Sequence, residues 1–114
     1  SEKLSAMLEK ILLSIPRGKV TTYGAVAKIL KTSPRIIGKM LRKNKYPLII
    51  PCHRVIRSDG HLGGYTPGGT RVKNAYLFLE GVSFLPNGRV APTCIIGEKE
   101  LSALREEHSA KNRD

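Results

Sequence analysis

Tryptophan is missing from this sequence, and four tyrosines and two phenylalanines are its only aromatic residues. The core is therefore expected to be aliphatic. Acidic residues are scarce as well: nine Asp and Glu stand against twenty Lys and Arg, a formal net charge of +11 spread along the chain rather than confined to a tail. Such an imbalance points to a polyanionic partner. Nucleic acid comes first, because counterion release rewards cations that face phosphates, and an acidic membrane surface comes second. No apolar run approaches the roughly 20 residues of a membrane span. No continuous apolar segment follows Ser1-Glu2-Lys3, so a signal peptide is not expected and a cytoplasmic or nuclear location is. Cysteine is limited to Cys52 and Cys94, expected to stay free in a reducing compartment. With His53, His61 and His108 scattered, neither has a partner at zinc-ligand spacing, so no metal is expected. Internal repeats, a P-loop and a dinucleotide fingerprint are also lacking. The 114 residues suit one domain with one core and are too few for two of ordinary size.

What is present begins with a helix over 4–15, where Leu4, Met7, Leu8, Ile11, Leu12 and Ile15 recur at three and four. Pro16-Arg17-Gly18-Lys19 breaks it, and Val20-Thr21 is a short extended link. Thr21 or Thr22 offers an N-cap to a second helix over 23–30 with Val26, Ala27, Ile29 and Leu30 inward. After a short turn, Ser33-Pro34 starts a third helix reaching Arg42 or Lys43, a capping serine followed by proline at the first helical position. Two short helices so joined outline a helix-turn-helix. On the third helix, Ile36, Ile37, Met40 and Leu41 form an apolar stripe, Arg35, Lys39, Arg42 and Lys43 are basic, and Gly38 lies on the boundary. Gly38 makes sense where another backbone must come close, since glycine costs a helix about 0.5–1 kcal/mol relative to alanine. An ordinary solvated basic face is the plain alternative.

The apolar run Leu48-Ile49-Ile50 reads as a buried strand or extended segment leading to Pro51-Cys52-His53-Arg54, with Val55-Ile56 beyond. A cysteine on packed backbone beside histidine and basic residues is a setting for a reactive thiolate. Adjacent strand residues point to opposite faces, so Cys52 and His53 cooperate only if the backbone bends. A buried structural cysteine beside a chance histidine fits the tetrapeptide too. Ser58-Asp59-Gly60 is a tight turn, and 61–69, with four glycines, reads as a binding loop or a flexible connector. Thr70 is the expected cap of a fourth helix over 71–80, with Val72, Ala75, Tyr76 and Leu79 inward and Gly81 as its stop. Residues 82–91 look like a hairpin able to serve as a wing. Leu101 and Leu104 lie in a short charged helix, and 108–114 is expected to fray or to act as a linker.

Taken together, Ile50-Pro51-Cys52-His53-Arg54-Val55, the upstream Tyr23, the Arg35, Gly38, Arg42 and Asn44 helix, and Leu79-Glu80-Gly81 resemble the DNA-binding, active-site domain of O6-alkylguanine-DNA alkyltransferases. The resemblance runs over about 4–90 and implies a mainly α fold with short β elements, like a winged helix-turn-helix. It divides the chain into 1–97, the DNA-binding and active-site domain, and 98–114, a charged helical tail or linker. Relatives often carry a separate N-terminal α/β domain, so a minimal or excised active-site domain is expected.

The implied activity is DNA repair by stoichiometric transfer of the alkyl group from O6-alkylguanine to Cys52 after base flipping. In that scheme His53 deprotonates Cys52 through water and Glu80 orients His53. Asn44 is a hinge, Tyr23 donates to the guanine and rotates the phosphate, and Lys73 helps to neutralise the leaving base. Pro47, Val55, Tyr65, Thr66 and Gly68 line the base pocket. Thr22, Tyr23, Arg35, Gly38, Lys39, Arg42 and Lys43 contact DNA, with Arg35 filling the vacated stack. No cofactor is implied. The partner is double-stranded DNA carrying the lesion, met by a monomer, with a fused or recruited repair partner as a further expectation. The alternatives are a non-catalytic alkyltransferase-like lesion sensor, in which the cysteine is typically replaced, a plain winged helix-turn-helix regulator, and the lesion-recognition half of a larger repair protein.

Overall fold

A computed structural model describes residues 2–111. Among these residues five α-helices form: α1 Glu2–Ser14, α2 Tyr23–Leu30, α3 Pro34–Arg42, α4 Gly69–Leu79 and α5 Glu98–Lys111. Between them lie β1 Thr21–Thr22 and β2 Val55–Ile56, paired in parallel with Thr21 opposite Val55 and Thr22 opposite Ile56. Short 3-10 turns occupy Cys52–Arg54 and Pro92–Cys94. Among the described residues no helix is long and apolar enough to cross a membrane.

The helix-turn-helix forms where the capping residues put it. Thr22 closes the start of α2 by accepting from the Ala25 amide at 3.1 Å, and Ser33 does the same for Ile36 at 3.2 Å, with Pro34 pre-set for the first turn of α3. Lys31, in the left-handed region at φ 57°, turns the chain between them. On α3 the apolar stripe is narrower than expected: Ile37 is fully buried, Met40 and Leu41 are partly buried, and Ile36 is exposed. A nine-residue helix laid against α2 along one edge buries only its central row.

The expected single core is divided. Leu8, Ile11, Leu12, Ile15, Val26, Leu30, Ile37, Val55 and Leu101 form one cluster, and Val20, Ile56, Leu62, Leu77, Val82 and Val90 form another. The β1–β2 ladder is the partition. Successive strand residues face opposite sides, so Val55 joins the first cluster and its neighbour Ile56 the second. Thr21, on the Val55 side, is buried and donates its hydroxyl to the Ile96 carbonyl at 2.8 Å. The segment expected as a charged helical tail or linker forms α5, packed on α1 and α2 with Leu101 fully buried in the first cluster. Residues 112–114 of the expected frayed end lie outside the described residues.

Three further expectations are corrected. Leu48-Ile49-Ile50 is a turn, not a strand, and exposes Leu48 and Ile49. Its polar backbone is satisfied locally: the Ile50 amide donates to Tyr46 O at 2.8 Å, and the Asn44 side chain bonds both Ile50 O and the Tyr46 amide. Helix α4 starts at Gly69 with Gly68 as its cap, while the Thr70 hydroxyl donates to Gly63 O at 2.9 Å. Its inward face is Val72, Lys73, Tyr76 and Leu77, with Ala75 and Leu79 outside. The inward face is rotated from the expected one because it includes Lys73, and a lysine turns inward only where carbonyls await it. Gly81, at φ 91°, ends α4 as expected, the Val82 amide reaching back to Leu77 O at 3.0 Å. The hairpin contracts to one antiparallel bridge, Phe84 with Val90.

Candidate active site

Cys52 and His53 are released from strand alternation by the 3-10 turn, which rotates neighbouring residues by about 120°. The Cys52 amide donates to Ile50 O at 2.7 Å and the Arg54 amide to Pro51 O at 3.1 Å, so backbone fixes the turn. Cys52 faces a cleft while His53 turns into the protein, fully buried. There the His53 ring lies edge-on to Tyr65 and Tyr76, with centroids 6.4 and 5.8 Å away.

His53 Nε2 sits 3.0 Å from Glu80 Oε2 at the end of α4. Arg54 Nε and Nη2 donate to the two Glu80 oxygens at 2.9 and 2.8 Å, and Arg54 Nη1 donates to Ile15 O at 2.7 Å. Burial pushes the Glu80 carboxyl up, but the bonds from Arg54 and His53 outweigh it and hold the pKa below its ordinary value. Burial pushes His53 below its ordinary value, against the pull of Glu80. The ring is therefore neutral at neutral pH. Since Nε2–H donates to the carboxylate, Nδ1 carries the lone pair, and among the described residues Nδ1 is buried with no hydrogen-bond partner. This is the arrangement of a base held ready: correct tautomer, free acceptor, and a carboxylate behind it.

Tyr23 lies at the start of α2, and burial, reinforced by the nearby Cys52 and opposed by Arg42, raises its pKa, so it stays a donor. Lys73 is buried to 1% exposure, its Nζ donating to Val55 O at 2.7 Å, Leu62 O at 2.6 Å and Gly64 O at 3.3 Å. Burial pulls its pKa down to about 8, against the influence of Cys52. The ammonium lies 5.7 Å from the centre of the Tyr23 ring. Lys73 thus staples β2 to the glycine loop from behind Tyr23, rather than lining the cleft.

The cleft measures about 700 Å³. It is lined by Pro34, Arg35, Gly38, Leu41 and Arg42 of α3, by Tyr23, Asn44 and Cys52, and by Arg57 with residues 63–67. Of the residues singled out from sequence, Cys52, Tyr23, Asn44, Arg35, Gly38, Arg42, Tyr65 and Thr66 meet here. Asn44 ties the end of α3 to the Cys52 turn through its bond to Ile50 O at 2.8 Å. A β-carbon built on Gly38 would meet nothing within 4 Å, so that face of α3 is open to close approach. Pro47, Val55, Gly68, Thr22, Lys39 and Lys43 are not among the lining residues. Val55 is core, and the Thr22 hydroxyl is committed to its cap. Gly68, at φ 129°, has Val72 Cγ2 at 2.6 Å from where a β-carbon would stand, so glycine is needed there for packing.

Sequence reasoning missed Arg54 and Arg57 as site residues. Arg54 reads as one more basic neighbour of the thiol, and its partner lies 26 residues away. Arg57 follows β2 by one residue, and only the position of the glycine loop brings it to the cleft.

The sequence profile of the 6-O-methylguanine DNA methyltransferase DNA-binding domain matches residues 5–82. A methylated-DNA–protein-cysteine methyltransferase of Pyrobaculum aerophilum is 56% identical over 70 residues, which cover 61% of this chain and 47% of the relative. A Mycobacterium tuberculosis OGT structure in complex with DNA superposes with a TM-score of 0.62 at 38% identity, covering 67% of this chain and 47% of that one. S. pombe Atl1, in complex with damaged DNA containing O6-carboxymethylguanine, gives a TM-score of 0.70 over 84% of this chain and 96% of its own. At 23% identity it shows the fold alone. The chain spans about half the length of the curated relative it matches. On the extent of the profile match, this chain belongs to the 6-O-methylguanine DNA methyltransferase family through its DNA-binding domain.

Proposed function

We propose that the protein repairs DNA by moving the alkyl group of an O6-alkylguanine onto Cys52, once per molecule. The observation that carries this reading is the His53 ring, with Nε2 bound to Glu80 at 3.0 Å and Nδ1 buried and unpartnered among the described residues. His53 Nδ1 takes the Cys52 proton through a water molecule, and the Glu80–Arg54 pair stabilises the imidazolium that results. The thiolate attacks the alkyl carbon, forming the S–C bond as the C–O bond breaks and its electron pair passes to guanine O6. The proton given up by the thiol is the one the released guanine needs, and the Tyr23 hydroxyl supports the developing charge by donating to the base. The thioether has no route back to thiol, so the protein is consumed.

A base within a duplex is out of reach of Cys52, so the nucleotide must leave the stack, at a cost of a few kcal/mol. Arg35, at the mouth of the cleft, is suited to fill the space, and Arg42, Lys39 and Lys43 to hold the backbone. Thr66 and Tyr65 receive the base. Pro47, Val55 and Gly68 shape that receptacle from behind, Thr22 fixes Tyr23 by capping α2, and Lys73 acts through the loop it fastens. Such a protein works where DNA is, in the cytoplasm or the nucleus according to the organism. Intact mass after incubation with a duplex carrying one O6-methylguanine tests the reading. A gain of one methyl group, abolished by Cys52→Ala, is the expected result, and tight lesion binding without mass gain would favour a non-catalytic lesion sensor.

A further inference from the structure

The cleft is lined by cations from two parts of the chain, and only one of them is the recognition helix. Besides Arg35 and Arg42 of α3, Arg57 lines the cleft, its Cγ 3.4 Å from where a β-carbon on Gly63 would stand. It stands at the root of a tight turn held by three hydrogen bonds: Gly60 donates to Arg57 O at 3.0 Å, Arg57 to His61 O at 2.9 Å, and His61 to Asp59 Oδ1 at 3.0 Å. The hairpin locks onto this turn. Val90 donates to Gly60 O at 3.0 Å, and Arg89 Nε donates to His61 Nε2 at 3.2 Å. A β-carbon on Gly60 would lie 3.3 Å from Arg89 Cβ, so the two pieces are in contact and Arg57 and Arg89 rise from one rigid ledge. The opposing charge is Asp59, whose Oδ2 lies 3.5 Å from Arg57 Nη2 with both side chains exposed. An exposed pair at that distance is worth little, and a phosphate can displace the carboxylate.

We propose that this ledge, with Arg57 at the cleft edge and Arg89 behind it, is a second phosphate-binding lip. It grips the DNA backbone at a place separate from α3, with Asp59 setting its strength. The inference rests on the proposed function above, because it needs DNA in the cleft. Two guanidinium groups held on fixed backbone present bidentate donors, and a second grip on the DNA backbone steadies the flipped nucleotide. Asp59 holds Arg57 loosely in the free protein and repels the backbone, which limits binding to undamaged DNA.

The test is the salt dependence of binding to a lesion duplex, together with the mass gain of the wild-type protein. Each lost phosphate contact flattens the slope of log K against log salt by about 0.9. Arg57→Ala and Arg89→Ala are each expected to flatten it by that amount and Arg57→Lys to leave it nearly intact, whereas a purely structural role for these arginines would leave the slope unmoved. Asp59→Asn, which keeps the oxygen that accepts from His61, is expected to tighten binding several-fold at low salt. Unchanged slopes in both alanine variants, or an Asp59→Asn that binds no more tightly, would overturn the second lip. A wild-type protein that neither binds the lesion nor gains mass would instead sink the proposed function itself.

Discussion

The relay and the cleft are neighbours built on opposite rules. In the relay His53 is fully buried, Glu80 has donors on both oxygens, and Arg54 is held by Glu80 and by the end of α1. At the cleft, Arg57 is 62% exposed with Asp59 at 3.5 Å, Arg35 and Arg42 are exposed, and Gly38 faces open space. On the proposed function, the chemical half is organised before substrate arrives, and the recognition half is completed by the substrate. That division follows from what each must do. A base works through fixed geometry, whereas cations that are to meet phosphate must not already be neutralised.

The comparison breaks hardest at Glu80. Glu80→Gln keeps the shape but removes the charge and one of the two acceptor oxygens, so Arg54 and His53 can no longer both be satisfied. Stability is expected to fall by about 3 kcal/mol, as when one partner of a buried pair is removed, and transfer under single-turnover conditions to slow by roughly 10²-fold or more. Denaturant midpoints and rapid-quench rates measure the two. If the relay is preorganised as described, lesion binding should change far less than either.

A smaller effect separates Lys73 from the relay. Its pKa is lowered to about 8 from 10.5, so the folded state gives up its proton first. Between pH 8 and the ordinary tyrosine value of 10 the unfolded chain binds more protons, and stability from this group rises with pH. A shift of this size amounts to about 3 kcal/mol at most. Above that window Tyr65, pushed up to about 12 by burial, reverses the slope, since the folded state then retains protons the unfolded chain loses. Lys73→Met is expected to abolish the rise while lowering stability by about 2 kcal/mol, because three carbonyls lose their donor. Urea midpoints across that pH range, in both proteins, decide it.

How far the sequence reached follows the same division. Local signals were legible: Thr22 and Ser33 cap the helices the sequence assigns them, Gly81 stops α4, and the motif around Cys52 carries His53 with it. What depends on distant backbone was not. Leu48 and Ile49 look like core until the Asn44 side chain is seen to satisfy a turn there, and nothing near Lys73 in sequence announces the three carbonyls that converge on it. Arg54 and Arg57 look alike in sequence, two cations three residues apart, yet one is locked into the relay and the other loosely paired at the cleft. Periodicity registers apolarity, and cannot tell a charge that has a buried partner from one that awaits a ligand.

The mildest perturbation asks whether the two halves are independent. Ser33→Ala removes the cap of α3 and is expected to cost about 1 kcal/mol of stability. The effect is confined to the first turn, where Pro34 and Arg35 line the cleft, while Ile37 keeps the centre of the helix buried. Fraying that turn loosens Arg35 without touching Glu80, so duplex affinity should fall a few-fold while the transfer rate at saturating DNA holds. Titrating the rate against DNA concentration separates the two quantities. An equal fall in both would mean that α3 communicates with the thiol, and the route would be Asn44, the residue that joins the end of the helix to Ile50 and hence to the Cys52 turn.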